Sequence, residues 1–135
     1  MSMTEKAKEI LISGGYTCVI LKEDRQYTSD KRGVRPLLDL LDSGADTKDA
    51  VAADKVVGAG AAHLYVLLGV KAVWAAVVST PAKKVMEENG IEVLFDKEVS
   101  FIINRTGDGV CPIENCVKGA KDSSQALLNI RDFLG

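Results

Sequence analysis

The spacing of apolar and polar positions in the first third of the chain predicts a helix, a hairpin and a second helix. Residues 4–12 have a helical apolar period that ends at Gly14-Gly15. Residues 16–22 are β-branched and apolar, and residues 25–28 follow as the second arm of an antiparallel hairpin. Residues 34–41 carry an early proline and one apolar face, which predicts a short helix packed on the hairpin or its edge.

The middle of the chain predicts a small-residue helix followed by a β-α-β unit. We expect residues 45–53 to be a connection and a helix to run from Asp54 to Leu68. Its glycines at positions 58 and 60 lower helix propensity, so a close contact with a sheet should compensate for them. The nearly uniform apolar run at 70–78 predicts a central strand that is covered on both faces.

Ser79-Thr80-Pro81 should then cap a helix that stops at Asn89-Gly90, and residues 91–95 should form a further strand. A β-α-β connection requires its two strands to be parallel, so the sheet should be mixed. We expect a turn at 96–98 and a final amphipathic helix at 123–134. Residues 99–103 should pair as a further short strand or pack as an extended segment.

Length and charge narrow the class of protein. The 135 residues, 47% of them hydrophobic, suit one domain with one buried core. The net charge is −2, with 17 basic and 19 acidic residues, which gives no footprint for nucleic acid or for an anionic membrane. The charged N-terminal segment lacks the pattern of a signal peptide, and the weakly polar run at 56–70 is too short for a bilayer span. We therefore expect a cytoplasmic protein with no nucleic-acid or membrane partner.

The cysteines and the one histidine do not indicate a metal site. Three cysteines, at positions 18, 111 and 116, are an odd number, and reduced thiols are expected. Cys111 and Cys116 are separated by four residues, which is not a usual zinc spacing. His63 falls in the middle of a predicted helix, where a structural role is expected. The sequence predicts no metal and no cofactor.

The segment at 104–114 (N-R-T-G-D-G-V-C-P-I-E) is the clearest candidate for a site. Pro112 suits the first position of a helix, which places Cys111 at the N-cap and Glu114 where a capping-box carboxylate would lie. A thiol at that position feels the helix dipole, and Arg105 could lower its pKa further, so Cys111 is a candidate nucleophile. The plainer interpretation is a turn followed by an ordinary helix start.

Three junctions between a strand end and a helix start carry polar side chains that could converge on one pocket. Asp54 and Lys55 are candidates for catalysis or anion binding, although Asp54 as a helix cap and Lys55 as a solvated side chain is the simpler interpretation. The candidate ligand-binding residues are Ser79, Thr80, Asn104, Arg105, Thr106, Asp108 and Glu114.

The order of elements resembles the cytidine-deaminase-like superfamily of three-layer α/β/α sandwiches with a mixed sheet. The segments S-G-G-Y-T-C-V-I-L, A-A-D-K-V-V-G, L-L-G-V-K-A-V and N-R-T-G-D-G-V-C-P-I-E resemble more closely an uncharacterised bacterial and archaeal family of unknown function with that fold. Zinc deaminases carry H-A-E or C-A-E at the start of the central helix and P-C-x-x-C at a later helix start. The positions that look equivalent here, 53–55 and 79–82, hold neither motif, so the resemblance implies the fold and argues against zinc-dependent deamination.

Three functions remain open from the sequence. The first is binding of a small polar or anionic metabolite, or of a nucleotide-like ligand, in the pocket formed by the three junctions. The second is a transferase or hydrolase that depends on Cys111. The third is a non-catalytic assembly or regulatory module, with an apolar strand or helix face forming a homodimer.

Overall fold

The computed structural model describes residues 2–104, 106–107 and 109–135. Its helices are α1 (Met3–Gly14), α2 (Arg35–Ser43), α3 (Ala59–Leu68), α4 (Thr80–Glu88), α5 (Pro112–Cys116) and α6 (Ser123–Leu134). Its strands are β1 (Cys18–Lys22), β2 (Arg25–Ser29), β3 (Val51–Val57), β4 (Ala72–Ser79) and β5 (Glu92–Val99). Arg105 and Asp108, two of the predicted ligand-binding residues, lie outside the described residues.

The strands form one mixed sheet in the order β2-β1-β3-β4-β5. β1 pairs antiparallel with both β2 and β3, whereas β4 lies parallel to β3 and to β5. The predicted hairpin and the predicted β4-α4-β5 unit are therefore both present. The α/β class and the mixed sheet expected from the sequence are confirmed.

Helices cover both faces of the sheet, which gives three layers. On one face α1 packs Ala7 and Leu11 against Val19 and Trp74. The larger core lies on the other face, where α2, α3, α4 and α6 pack against the sheet and against one another. β3 and β4 are central and covered on both faces, as expected for nearly uniform apolar strands.

The prediction of a helix beginning at Asp54 is wrong. Residues 51–57 form β3, and the helix begins only at Ala59, with Gly58 as an N-cap in extended conformation. The sequence V-A-A-D-K-V-V is apolar at most positions, and β3 lies between β1 and β4 in the sheet. Tertiary burial therefore decided the conformation, and Asp54 is a residue within the strand rather than a helix cap.

The predicted turn at 96–98 is also wrong, and residues 99–103 do not pair as a separate strand. β5 continues through these residues to Val99 because it pairs with β4 as far as Ser79. Beyond β5, the chain forms only an isolated bridge between Ile103 and Val110. The last strand before the 104–114 segment therefore ends at Val99.

The expected close contact at the glycines of the predicted central helix exists, but its partners are Ile113 of α5 and Ile102 rather than the sheet. A Cβ added to Gly60 would overlap Cγ2 of Ile113 in α5. At Gly58 a Cβ would lie 3.1 Å from Cγ1 of Ile102. The first turn of α3 is therefore packed tightly against Ile102 and Ile113, which positions both candidate sites described below.

Candidate functional site

A cavity of about 380 Å³ lies where β3 ends and α3 begins, and is called here the β3–α3 cavity. It is open to solvent, and strand, helix and loop residues form its walls. The lining residues are Thr17, Cys18, Arg32, Gly33, Val34, Asp54, Lys55, Val56, Gly58, Gly60, Ala61, Ile102, Cys111, Ile113 and Glu114. Most of these side chains are apolar or small, so the few polar groups have defined positions.

Asp54 is the central polar group of the β3–α3 cavity. Its residue is only 9% exposed, and its Oδ2 accepts a hydrogen bond of 2.6 Å from the Tyr65 hydroxyl. Its Oδ1 accepts a bond of 3.3 Å from the Val56 N–H. The Tyr65 hydroxyl also lies 3.4 Å from the Cys18 thiol, so β1, β3 and α3 each contribute one member of a buried polar cluster.

Burial sets the protonation of this cluster. Removal from water raises the pKa of Asp54 to about 7, and the hydrogen bonds from Tyr65 and from backbone N–H groups only partly oppose this rise. Burial also raises the pKa of the Cys18 thiol and of the Tyr65 hydroxyl, and the nearby Asp54 carboxylate adds to both shifts. Asp54 is therefore a carboxyl group that can gain or lose a proton near neutral pH, beside two groups that remain protonated.

The helix start on the cavity wall supplies further donors. Gly58, the N-cap of α3, provides no side-chain cap. Glu114 accepts a hydrogen bond of 3.3 Å from the Ala59 N–H through Oε1 and another from the Ile102 N–H through Oε2. Within the described part of the chain, the N–H groups of Gly60 and Ala61 have no acceptor. Lys55 and Arg32 are exposed on the same cavity and add positive charge.

Cys111 lies on the same cavity as Asp54, half-buried, at the N-cap of α5. The predicted capping box with Glu114 is wrong, because the Cys111 N–H donates to the Ile102 carbonyl at 2.7 Å instead. Glu114 is buried, and its carboxylate links Ile102 and α5 to the start of α3. Its position on the cavity wall is compatible with ligand contact, but both of its oxygens already accept backbone hydrogen bonds.

The structure brings only some of the predicted residues together. Ser79 is fully buried and caps α4 through the Ala82 N–H, and the exposed Thr80 hydroxyl bonds to Glu98 and to the Val99 carbonyl. Neither residue lines the β3–α3 cavity.

Asn104 and Thr106 bond to each other, with the Thr106 hydroxyl 3.0 Å from Asn104 Oδ1. Both also lie outside the lining of that cavity. Of the three predicted junctions, the first and the third therefore meet through Asp54, Lys55, Cys111 and Glu114.

A second cavity, of about 580 Å³, lies on the other side of the first turn of α3 and is called here the His63 cavity. α3, α4, the segment 114–123 and residues 100–101 form its walls. Nδ1 of His63 lies 3.0 Å from the Ser123 hydroxyl. No local sequence pattern indicates this pair, because 60 residues separate its members. Tyr65 was missed for a related reason, since its contact with Asp54 depends on where α3 begins.

Among the described residues, no group of three or more His, Cys, Asp and Glu side chains could hold a metal ion. In the same part of the chain, no helix is long and apolar enough to cross a membrane.

The start of the central helix carries Gly58, Ala59 and Gly60, so the sequence-based equivalence of residues 53–55 with that helix start was wrong. Small residues without ligating side chains occupy the position instead.

Residues 6–134 match the family described as a domain of unknown function (DUF1893). The chain belongs to this family. A crystal structure of a DUF1893 family protein from Thermotoga maritima is 25% identical in sequence and has a TM-score of 0.85, covering 98% of this chain and 88% of that chain. The resemblance to an uncharacterised family that was drawn from the sequence segments is therefore confirmed.

Two deaminases are weaker structural neighbours of this DUF1893 family member. A diaminohydroxyphosphoribosylaminopyrimidine deaminase/5-amino-6-(5-phosphoribosylamino)uracil reductase from Thermotoga maritima is 14% identical, with a TM-score of 0.48 over 85% of this chain and 40% of that chain. The dCMP deaminase of cyanophage S-TIM5 is also 14% identical, with a TM-score of 0.45 over 72% of this chain and 94% of that chain. No curated protein matches the chain in sequence. The function must therefore be argued from the site itself.

Proposed function

We propose that the β3–α3 cavity binds a small organic anion, such as a phosphorylated metabolite or a nucleotide-like molecule. The observation that carries this proposal is the buried Asp54 carboxyl group, which faces the cavity and has a pKa of about 7. Buried ionisable groups with strongly shifted pKa values are concentrated at functional sites. The apolar walls suit the body of an organic ligand rather than a free inorganic ion.

The charges around the cavity favour an anionic group on the ligand. Lys55 and Arg32 are exposed at the cavity and can pair with a phosphate or carboxylate. The N–H groups of Gly60 and Ala61 belong to the first turn of α3, where the helix dipole also favours negative charge. Protonated Asp54 can donate a hydrogen bond to a ligand oxygen, and ionised Asp54 would repel the same oxygen. Ligand binding should therefore weaken as the pH rises through 7.

A thermal-shift screen of the purified chain with nucleoside phosphates, sugar phosphates and small carboxylic acids tests the proposal. A binding ligand should raise Tm by several degrees at 100-fold excess over Kd, where binding contributes about 2.7 kcal/mol. The shift should be larger at pH 6 than at pH 8. The absence of stabilisation by every class would contradict the proposal.

Three variants test whether an increase in Tm arises from binding in this cavity. Lys55→Ala should reduce the shift, and Asp54→Asn, which is neutral like the protonated acid, should remove its dependence on pH. Lys71→Ala is the matched control, because Lys71 is exposed and does not line this cavity. A ligand whose Tm shift is equal in all three variants binds elsewhere and gives no support.

A second candidate function is thiol-dependent transfer or hydrolysis at Cys111. The observation that favours it is that Cys111, Asp54 and Lys55 line one cavity, so a bound ligand would contact the thiol and two candidate proton-transfer groups. Iodoacetamide should modify Cys111 rapidly even at pH 6 to 7, with Cys116→Ala unchanged and Cys111→Ser unreactive. A rate equal to that of free cysteine would end this alternative.

A further inference from the structure

His63 and Ser123 form a buried pair of a base and a hydroxyl on the wall of the His63 cavity. His63 lies in the middle of α3 and Ser123 is the first residue of α6. Their residues are only 9% and 7% exposed, and their side chains are 3.0 Å apart. Both residues line a cavity that can admit a small molecule. The proposed function of the β3–α3 cavity does not involve either residue.

The environment keeps His63 able to accept a proton. Burial lowers the pKa of His63, and the negative charge of Asp122 opposes this shift. At neutral pH the imidazole is therefore neutral, which is the form that a general base requires. Asp122 is the N-cap of α6 and directly precedes Ser123, so its carboxylate can stabilise the imidazolium that forms after proton transfer.

The start of α6 adds donors near the hydroxyl. α6 has 12 residues, and its cap is satisfied by the Gln125 N–H, which donates to Asp122 Oδ1 at 2.8 Å. The Ala126 N–H donates to the Asp122 carbonyl. The N–H groups of Ser123 and Ser124 have no acceptor among the described residues. Such first-turn donors can stabilise negative charge that develops next to Ser123.

We propose that Ser123 is a nucleophile, that His63 is its general base, and that the His63 cavity accepts an acyl ester or thioester. Lysine and carboxylate side chains line the cavity in equal number, so its charge does not restrict the acyl chain to an anionic one; they are Lys84, Lys118, Lys121, Glu88, Glu114 and Asp122. This activity is independent of ligand binding in the β3–α3 cavity.

The steps balance without a further reactant other than water. Ser123 Oγ forms a bond to the carbonyl carbon while its proton passes to His63 Nδ1. The bond from that carbon to the alkoxide or thiolate leaving group then breaks, and His63 returns the proton to the leaving group. Water attacks the acyl-Ser123 ester, His63 accepts and returns a proton again, and the carboxylic acid leaves with Ser123 restored.

An alkyl fluorophosphonate probe tests the nucleophile directly. Ser123 Oγ forms the P–O bond, the P–F bond breaks, and peptide mass mapping locates the adduct. We expect labelling at Ser123, its loss in Ser123→Ala, and at least a hundredfold slower labelling in His63→Gln. Ser13→Ala is the control, because Ser13 is exposed and does not line this cavity, and it should label as the wild-type chain does. Absence of labelling at Ser123 in the folded chain overturns the proposal, as does an unchanged rate in His63→Gln.

Two further measurements separate a reactive pair from a merely structural one. Ser123→Cys keeps a nucleophile at this position, and its iodoacetamide rate should fall when His63→Gln is added; an equal rate counts against the proposal. The labelling rate of the wild-type chain should decline only below the ordinary imidazole pKa of about 6.5. Asp122, Glu88, Glu114, Lys84, Lys118 and Lys121 also line the cavity. The decline should therefore disappear in His63→Gln, because glutamine does not titrate, and a decline with the same midpoint assigns the titration to one of these groups and contradicts the proposal.

Discussion

The two cavities beside the first turn of α3 differ in a buried group whose pKa is shifted, which is acidic in one cavity and basic in the other. The β3–α3 cavity holds an acid, Asp54, and the His63 cavity holds a base, His63. Burial moves their pKa values in opposite directions, upward for the acid and downward for the base. In both cases the neutral form is favoured. Burial thus favours a protonated acid, which can donate a proton, on one side of α3 and a neutral base, which can accept one, on the other.

Glu114 is a further ionisable residue, and it lines both cavities. It is buried, and it accepts hydrogen bonds from the backbone N–H groups of Ala59 and Ile102. Asp54, Glu114 and His63 can each be substituted separately, and the predicted effects on the free energy of unfolding differ in sign or in size.

The largest effect is expected for Asp54→Asn, measured as the pH dependence of the free energy of unfolding. The folded-state pKa of Asp54 is raised from 3.8 to about 7, so the folded chain binds more protons than the unfolded chain between these values. Its contribution to stability is therefore lost as the pH rises from 4 to 7. Relative to the wild-type chain, Asp54→Asn should become more stable over this range by up to about 4 kcal/mol.

Urea unfolding of both chains at several pH values measures this difference. Asp39→Asn, at an exposed carboxylate on α2, provides the reference slope. Parallel curves for the wild-type chain and Asp54→Asn would show that Asp54 is not the buried acid that the structure indicates.

The next effect is expected for Glu114→Ala, which removes the acceptor of two backbone N–H groups. A hydrogen bond contributes about 0.5–1.5 kcal/mol net, so the loss of two should lower the free energy of unfolding by about 1–3 kcal/mol. Glu87→Ala on the exposed side of α4 should change it by less than about 0.5 kcal/mol. Equal effects for the two variants would show that the hydrogen bonds from the Ala59 and Ile102 N–H groups to Glu114 do not stabilise the folded chain.

A smaller effect is expected for Gly60→Ala, which inserts a methyl group between α3 and α5. The substitution gains about 1 kcal/mol of helix propensity, but overpacking against Ile113 costs about 1–3 kcal/mol. We expect a net loss of about 1 kcal/mol by thermal unfolding. Gly119→Ala meets no neighbouring atom within 4 Å and should be nearly neutral, and a stabilised Gly60→Ala chain would refute the close packing.

The smallest effect is expected for His63→Gln, and its sign is opposite to that of Asp54→Asn. Because the folded-state pKa of His63 is lowered, the unfolded chain binds more protons, and the histidine's contribution to stability rises with pH through this range. Relative to the wild-type chain, His63→Gln should therefore lose stability as the pH rises from 5 to 7. A slope of the same sign as that of Asp54→Asn would remove the contrast between the cavities.

Sequence reasoning predicted elements whose signals are local. The hairpin, β4, the cap of α4 at Ser79 and the final helix follow from periodicity, capping residues and turn residues within short windows. It failed at β3 because V-A-A-D-K-V-V-G-A-G-A-A is apolar and small throughout, and such a run suits a buried strand as well as a buried helix. Only pairing with β1 and β4 decides between them.

The candidate site was predicted only in part, because only some of its residues have a local sequence signal. Asp54, Lys55, Cys111 and Glu114 were selected because polar side chains at element junctions are typical of ligand sites, and they do share one cavity. The contacts of Asp54 with Tyr65 and of His63 with Ser123 depend on the register between elements. No local pattern in the sequence carries that information.

The position of β5 at the edge of the sheet has a consequence for behaviour at high concentration. Its first half presents exposed Leu94 and Phe95, whereas Asp96, Lys97 and Glu98 place charges along its second half. An unpaired strand edge is a template for strand addition, and charged residues oppose it. We expect the homodimer predicted from the sequence, if it forms by strand addition, to use the first half of β5. The charged second half should then act as a gatekeeper against open-ended fibril growth.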